Sequence, residues 1–578
     1  MRRGRWIALT FSLLFLVGWI AWLSRYFWLP KVLLFWLHSY RIERLRYERV
    51  TWEHPTELQF AGLLLEKGRW ALQVDSVRIR VGRRAALQVW GGVLQRKATS
   101  EGGTETTARR APQRLVSSLL DQLARLDTIE IESLELPYHI RLQVAKRGSG
   151  PFSFLLEHPQ GCLQGEAFLE PTQLTFVAGQ GEVGGAAYLH WERVTGRLRV
   201  RAETLSLTVK GWAIEGYHPR LASRSLRYDS AGLSAVWIDR PDTPLIEAKP
   251  LLLPLQAALQ VRWTPDPWSW TLQLQVPPQP HQAYLEAFPK GFFTCLARAR
   301  LGGRSALRLH LTYNPTLPDT LHLEVSWQPE RFTIERWEGF SPLHLRESFW
   351  YRPYRSTREI WIGPENPAFL TFRQITPYVL HAVLHSEDGL FFYHQGFQKE
   401  HLLKAMLENW RCRCFRRGAG TLTMQVVRNL LLTREKTLAR KVEEVILTAL
   451  IERFRLLSKE RLAELYFNII EWGPEVYGLT EAAHFYFAKE PHDLTIPEAI
   501  FLGVILPSPR AYRYFVDEDT QCALPSLAGH FRKITAFLVL QNYLPPDSIE
   551  TIKPERACLV GAAQRARQAP PVVHDTLP

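Results

Sequence analysis

The sequence predicts a multidomain protein: an N-terminal transmembrane helix, an all-β or mainly β middle region and a mostly α C-terminal domain. Three observations carry this. An apolar run opens the chain behind Arg2, Arg3 and Arg5. Alternation of apolar and polar residues fills residues 40 to 340, and helical spacing takes over near residue 370. At 578 residues, 46% of them hydrophobic, the chain can build more than one core.

The stretch from Trp6 to Leu23 is uncharged and mostly apolar. As a helix it would rise about 27 Å, close to a bilayer core of about 30 Å. Its exit, "WLSRYFWLPK", lacks the small residues of a signal-peptide cleavage site, so the segment reads as an uncleaved anchor. Trp22, Tyr26, Phe27 and Trp28 suit the membrane interface, and "KVLLFWLHSY" suits a segment lying on it. Residues 1–39 are therefore assigned to the anchor and interfacial segment. Arg25 and Lys31 follow the span and weaken the charge asymmetry that would orient it.

Residues 40–345 form the β-rich region. Val77, Ile79 and Val81 alternate with polar residues. So do Leu205, Leu207 and Val209; Leu272, Leu274 and Val276; Leu307, Leu309 and Leu311; and Leu321, Leu323, Val325 and Trp327. A period of two gives strands with one dry and one wet face. "RPDTP" and "TPDPW" supply turns. A flexible loop is expected near 96–114, where the chain is polar and rich in Thr and Gly. An amphipathic helix, "LVSSLLDQLARL", follows it. The texture resembles strand-rich envelope proteins that bridge membranes and carry lipids; a plain β spacer fits equally well.

The net charge of +14 suits nucleic acid, an anionic membrane or an anionic lipid substrate. No nucleic-acid recognition motif accompanies it, so nucleic acid is not expected as a partner. Cys162, Cys295, Cys412, Cys414, Cys522 and Cys558 are irregularly spaced and decide neither a metal site nor the redox compartment.

In "RKVEEVILTALIERF", Leu447, Leu450, Ile451 and Phe454 mark one helical face. Glu444 shares that face, whereas Glu443 and Glu452 fall nearer the opposite, wet side. A carboxylate on a dry face must be paired or put to work. Arg440 at i−4 is the natural partner.

Residues 370 to 515 resemble the peptidoglycan glycosyltransferase family, found alone or as the transglycosylase domain of bifunctional penicillin-binding proteins. Glu387, Asp388, Phe391, His394 and Gly396 match its first motif. "GAGTLTMQVVRN", ending at Asn429, matches the second. Arg440, Lys441 and Glu444 match the third. Ser458, Lys459, Glu464, Tyr466 and Asn468 match the fourth, and Glu471, Gly473, Tyr477 and Gly478 begin a fifth. The sequence departs from the pattern at Gly420, where the family has serine, at Met424, where it has glutamine, and at Arg428, where it has lysine. A hydroxyl and an amide are thereby lost from a loop expected to face phosphate.

The resemblance implies a lysozyme-like fold for a transferase domain at 346–520, trailed by a helical finish and tail at 521–578. It implies polymerisation of lipid II into β-1,4-linked glycan with release of polyprenyl diphosphate. Glu387 would be the general base and Glu444 the second essential carboxylate. Thr421, Thr423, Gln425, Arg428, Arg440 and Lys441 would bind the diphosphate. Asp388, Phe391, His394, Gly396, Asn429, Glu464, Tyr466 and Asn468 would support them; His394 and Asn468 read as structural. Phe391 and Phe392 would exclude water and raise the Glu387 pKa.

A divalent cation such as Mg is compatible with the resemblance, in which Glu444 would either help hold that ion or orient Lys441, and no organic cofactor is implied. The expected partners are lipid II, the growing glycan chain, an anionic membrane surface and a separate transpeptidase, since no Ser-x-x-Lys with a later Lys-Thr-Gly follows. The membrane partner rests on "KEHLLKAMLENWRCRCFRRG", where Leu402, Leu403, Met406, Leu407 and Trp410 adjoin clustered arginines. The expected location is the cytoplasmic membrane, single-pass, with the bulk outside. The competing reading is a non-catalytic envelope scaffold or lipid-bridging protein whose transferase domain has degenerated.

Overall fold

The alternating rows become strands and the helical rows become helices. The computed structural model describes residues 44–568 except 47, 55–56, 68–69, 81–85, 97–127, 137–139, 149, 160, 171, 202–203, 239, 241–242, 252, 266–267, 315–316, 318–320, 413, 415 and 417. The anchor expected at residues 6–23, the surface segment after it, the polar loop beyond Arg96 and the helix expected in "LVSSLLDQLARL" lie outside the described residues. Among the described residues no helix is long and apolar enough to cross a membrane. The chain divides into two compact units. One takes in residues up to 291 with 302–331; the other takes in 292–301 with 332–578.

The first unit is a β meander. Strands Glu57–Lys67, Trp70–Arg80 and Ala86–Arg96 pair antiparallel in succession. Ala86–Arg96 then pairs in parallel with Thr128–Leu136, and antiparallel pairing resumes through Ile140–Arg147, Phe152–His158 and Gly161–Glu170. Further on, Thr204–Tyr217, Leu226–Ile238, Leu245–Leu251, Ala258–Pro265, Trp268–Pro280 and Ala299–Tyr313 each pair with the next. Val77, Val74, Ile129, Leu134 and Leu142 are each 1% exposed and form a tight core. The later rows differ, because Leu205, Leu207 and Val209 are only half-buried.

The second unit is mostly helical: α1 Pro377–Asp388, α2 Lys399–Cys412, α3 Leu422–Leu430, α4 Leu438–Arg453, α5 Lys459–Ile469, α6 Leu479–Phe487, α7 Ile496–Ile505 and α8 Ala528–Leu540. Their starts are legible in side-chain chemistry. Thr421, Thr437 and Ser458 each accept a backbone N–H as N-caps, a contribution of about 1 kcal/mol apiece. Thr495 and Glu498 close a capping box at α7. Every residue of α7 from Glu498 to Ile505 is buried, and the helix packs on α1. The approach requires Gly503, since a Cβ there would lie 2.9 Å from the Ala382 carbonyl oxygen.

Two acidic residues correct the helical-face reading of α4. Glu443 and Glu452 are buried, not solvated, at 1% and 9% exposure. Glu443 accepts the backbone N–H groups of Thr294, Cys295 and Leu296 at 2.7–3.0 Å and the Thr294 hydroxyl at 2.8 Å. Glu452 accepts from the Thr423 hydroxyl at 2.5 Å and the Lys459 ammonium at 2.7 Å. Helix α4 thus buries more than one face, and each carboxylate on those faces has partners. The cysteines pair as Cys412–Cys414 and Cys522–Cys558, while Cys162 and Cys295 stay reduced.

Candidate active site

Glu387 and Asp388 are neighbours in the last turn of α1, and their environments separate their tasks. Asp388 is 1% exposed. It accepts from His394 Nε2 at 2.8 Å, from the Leu422 backbone N–H at 2.9 Å and from the Gln398 amide. His394 Nδ1 accepts the Gly396 N–H at 3.0 Å, so the ring proton sits on Nε2 and points at Asp388. Gly396 has φ +86°, and a Cβ there would lie 2.8 Å from Thr448 Cγ2. The carboxylate of Asp388 therefore pins the loop after α1 to the start of α3. His394 and Gly396 shape that loop.

Glu387 is half-buried and keeps different company. Its Oε2 accepts from Gln425 Nε2, on α3, at 2.7 Å. Burial pushes its pKa above the ordinary glutamate value; the Gln425 amide and the Arg428 charge oppose the rise, and Asp388 adds to it. Phe391, fully buried, packs edge-on to Phe392, which stays partly exposed. Tyr466 of α5 is fully buried and its hydroxyl pKa is driven well up by burial, with Glu387 and Asp388 contributing.

Glu444 enters from α4. It is 0% exposed and both oxygens are engaged, one by Arg440 and one by Lys441 Nζ at 2.8 Å. Arg428 connects the two carboxylates electrostatically. Its charge opposes the rise of the Glu387 pKa, and the Glu444 charge opposes the burial that lowers its own. The Arg428 Nε is buried without a hydrogen-bond partner, so the guanidinium keeps donor capacity unused. With Arg440 and Lys441 set against Glu444 alone, this side of the site carries excess positive charge.

Several expected diphosphate ligands are placed otherwise. Thr421 is 2% exposed, caps α3 and donates to the Gly396 carbonyl at 2.7 Å; Thr423 is 0% exposed and donates to Glu452. Both hydroxyls are consumed inside the protein, which corrects their assignment as phosphate donors. Met424, at 2% exposure, lies in the core, so no phosphate-facing amide is lost there. Gly420 is exposed, with open space where its Cβ would stand. The Asn429 side-chain oxygen is buried without a partner. Glu464 accepts the Phe372 N–H at 2.9 Å. Asn468 clamps Leu370, accepting its N–H and donating to its carbonyl, both at 2.8 Å.

Glu443 is a residue that sequence reasoning missed. Its partners lie about 150 positions earlier, at 294–296, and no local signal marks them. Both Glu444 oxygens are engaged by Arg440 and Lys441, and among the described residues no three or more His, Cys, Asp or Glu side chains gather where they could hold a metal ion.

The profile of the Transglycosylase family matches residues 356–524. A biosynthetic peptidoglycan transglycosylase of Paraburkholderia xenovorans is 36% identical over 183 residues, covering 32% of this chain and 70% of that protein. One from Nitrosomonas europaea is 36% identical over 211 residues, covering 36% of this chain and 80% of that protein. A penicillin-binding protein 1A of Aquifex aeolicus is 34% identical over 189 residues, 33% of this chain and 25% of that protein.

Proposed function

The chain belongs to the peptidoglycan transglycosylase family, and from that premise we propose how its own residues polymerise lipid II into glycan strands. Glu387 is the general base. It takes the proton from the acceptor sugar's 4-hydroxyl as that oxygen attacks the donor's anomeric carbon. The bond from that carbon to the diphosphate breaks as the new one forms, and the electron pair leaves with the polyprenyl diphosphate. One displacement inverts the centre, turning an α-linked donor into a β-1,4 link.

Arg428, Arg440 and Lys441 offset the charge that grows on the departing diphosphate. Lys441 is suited to reach it, because its side chain is 43% exposed while its partner Glu444 is fully buried. Glu444 acts as a positioning carboxylate: it holds Arg440 and Lys441 on one side of the groove. Gln425 orients Glu387, and Asp388 with His394 fixes the turn that carries it. No step is assigned to a metal ion.

The observation that carries this reading is the pairing of environments. A partly buried glutamate with a raised pKa shares Arg428 with a second carboxylate already held by two cations. Buried Met424 also removes one motive for the degenerate-scaffold reading.

A single membrane pass, an extracytoplasmic bulk and docking on anionic lipid belong to the same proposal. Exposed Leu390, Tyr393 and Leu402, with Arg411 and Arg416 nearby in sequence, support the lipid contact. The two disulfides support an oxidising compartment.

The test is polymerisation of labelled lipid II by purified full-length protein in detergent. Glycan polymer that disappears in Glu387→Gln, with folding intact, is the expected result. Equal product from Glu387→Gln removes the base assignment.

A further inference from the structure

A cavity in the helical unit, of about 670 Å³, is not lined by Glu387, Arg428 or Glu444. A two-stranded ladder builds one wall. Phe349–Tyr351 pairs antiparallel with Ile360–Ile362, and the pleat divides their side chains. Phe349 and Tyr351 are buried at 7% and 6% exposure, opposite Ile362 and Ile360. Trp350 is thereby turned outward at 65% exposure, directly across from Trp361. Their ring centroids are 5.1 Å apart and their planes differ by 58°. The Trp361 indole N–H donates to Glu365 at 2.7 Å, which fixes that ring.

Three carboxylates also line the cavity, Glu359, Glu365 and Glu481; its one lining cation, Arg358, is bound to Glu481, and Arg352 pairs with Glu359. The lining therefore offers no uncommitted cation to a diphosphate or an anionic headgroup, in contrast to the cluster of Arg428, Arg440 and Lys441 at the candidate active site. It favours a neutral ligand with an apolar face for indole rings and hydroxyl donors for carboxylates. A pyranose ring has both. Its axial C–H bonds form an apolar face that lies well on the electron-rich face of an indole. Its equatorial hydroxyls point outward, where preset carboxylate oxygens can accept them. Asn468 of α5 lines the cavity; Tyr466, on the same helix, senses the charge of Glu387.

We propose that this cavity is a saccharide subsite, in which Trp350 and Trp361 hold neutral N-acetylhexosamine rings of a glycan strand. The proposal rests on the transferase reading above for the identity of the strand, but not for its own binding chemistry. Occupancy here keeps the strand on the enzyme between additions, so it governs product length.

The probe is the uncharged β-1,4-linked tetramer of N-acetylglucosamine, titrated calorimetrically into full-length protein in detergent. Wild type binds it. Trp350→Ala weakens binding about tenfold, whereas Trp350→Phe, which keeps a ring, stays within about threefold. Because Trp350 is mostly exposed, its replacement leaves the core intact, and an unchanged unfolding midpoint checks this. Trp350→Ala also makes shorter glycan from lipid II. Glu387→Gln, which tests the polymerase reading, binds the tetramer as wild type does, so the two readings fail separately. Absence of binding to wild type overturns the subsite. Equal affinity in Trp350→Ala and wild type also overturns it, since the sugar then sits elsewhere.

Discussion

Two apolar rows show how differently the two units are built. In the sheet, Leu205, Leu207 and Val209 alternate as a strand core should, yet each is only half-buried. In the helical unit, Leu447 and Ile451 of α4 are 0% exposed, and α7 is buried on every side from Glu498 onward. Full burial lets the helical unit hold a carboxylate such as Glu444 away from water and make its charge count. A row left half-buried, as in strand Thr204–Tyr217, cannot tune a charge in this way. The candidate site lies in the helical unit, and the matches to known transglycosylases fall there too.

The strongest challenge to that contrast is to remove a charge from the dry groove. Arg428→Ala is expected to lower the polymerisation rate by about 10²–10³-fold, the usual effect of losing one preorganised donor at a developing anion. A reversal of Glu170, exposed at the end of strand Gly161–Glu170, should leave the rate unaltered. Initial rates with labelled lipid II check both.

Next comes Glu443. Glu443→Ala strands three backbone N–H groups at 294–296 and is expected to cost roughly 3–6 kcal/mol in the helical unit. Denaturant unfolding followed by amide exchange on α4 measures it. A loss confined to the sheet would break the account of which unit this carboxylate serves.

Much of this contrast could be read in the residues. Period-two rows gave the strands, and the i, i+3, i+4 row gave α4 with Glu444 on its dry face. The fate of Glu443 could not be read. A helical-face argument assumes one buried face, whereas α4 buries several, and the partners of Glu443 come from a segment of β-patterned sequence. Thr421 and Thr423 misled for a related reason. A hydroxyl in a phosphate-facing motif looks available until the cap of α3 and the buried Glu452 are seen to use it. Cys522 and Cys558, 36 positions apart, gave no spacing signal for their bond.

The two apolar rows can be compared directly. Leu447→Ala, at a fully buried position, is expected to cost about 2.5–5 kcal/mol, and Leu207→Ala in the half-buried sheet row about 1 kcal/mol. Equal costs would erase the distinction between the units. The smallest effect is expected for Gly420→Ser, where the added side chain meets open space. Stability should change by less than about 0.5 kcal/mol. A rise in rate would show that the family's serine hydroxyl assists the diphosphate.

The raised pKa of Glu387 gives the account its most direct test. A buried carboxylate resists ionisation, so its folded pKa exceeds its unfolded one. The stability attached to the neutral form is present at low pH and is lost as pH rises through the folded value. Catalysis runs the opposite way, because the base must be ionised. Among its charged neighbours, Arg428 favours ionisation and Asp388 opposes it. The decisive measurement is the pH dependence of kcat/KM for lipid II polymerisation by wild type and Gln425→Leu. The account predicts an acid limb above the ordinary glutamate pKa that moves higher in Gln425→Leu, where the ionised form loses its hydrogen bond. A profile with no acid limb, or one that Gln425→Leu leaves in place, would contradict it.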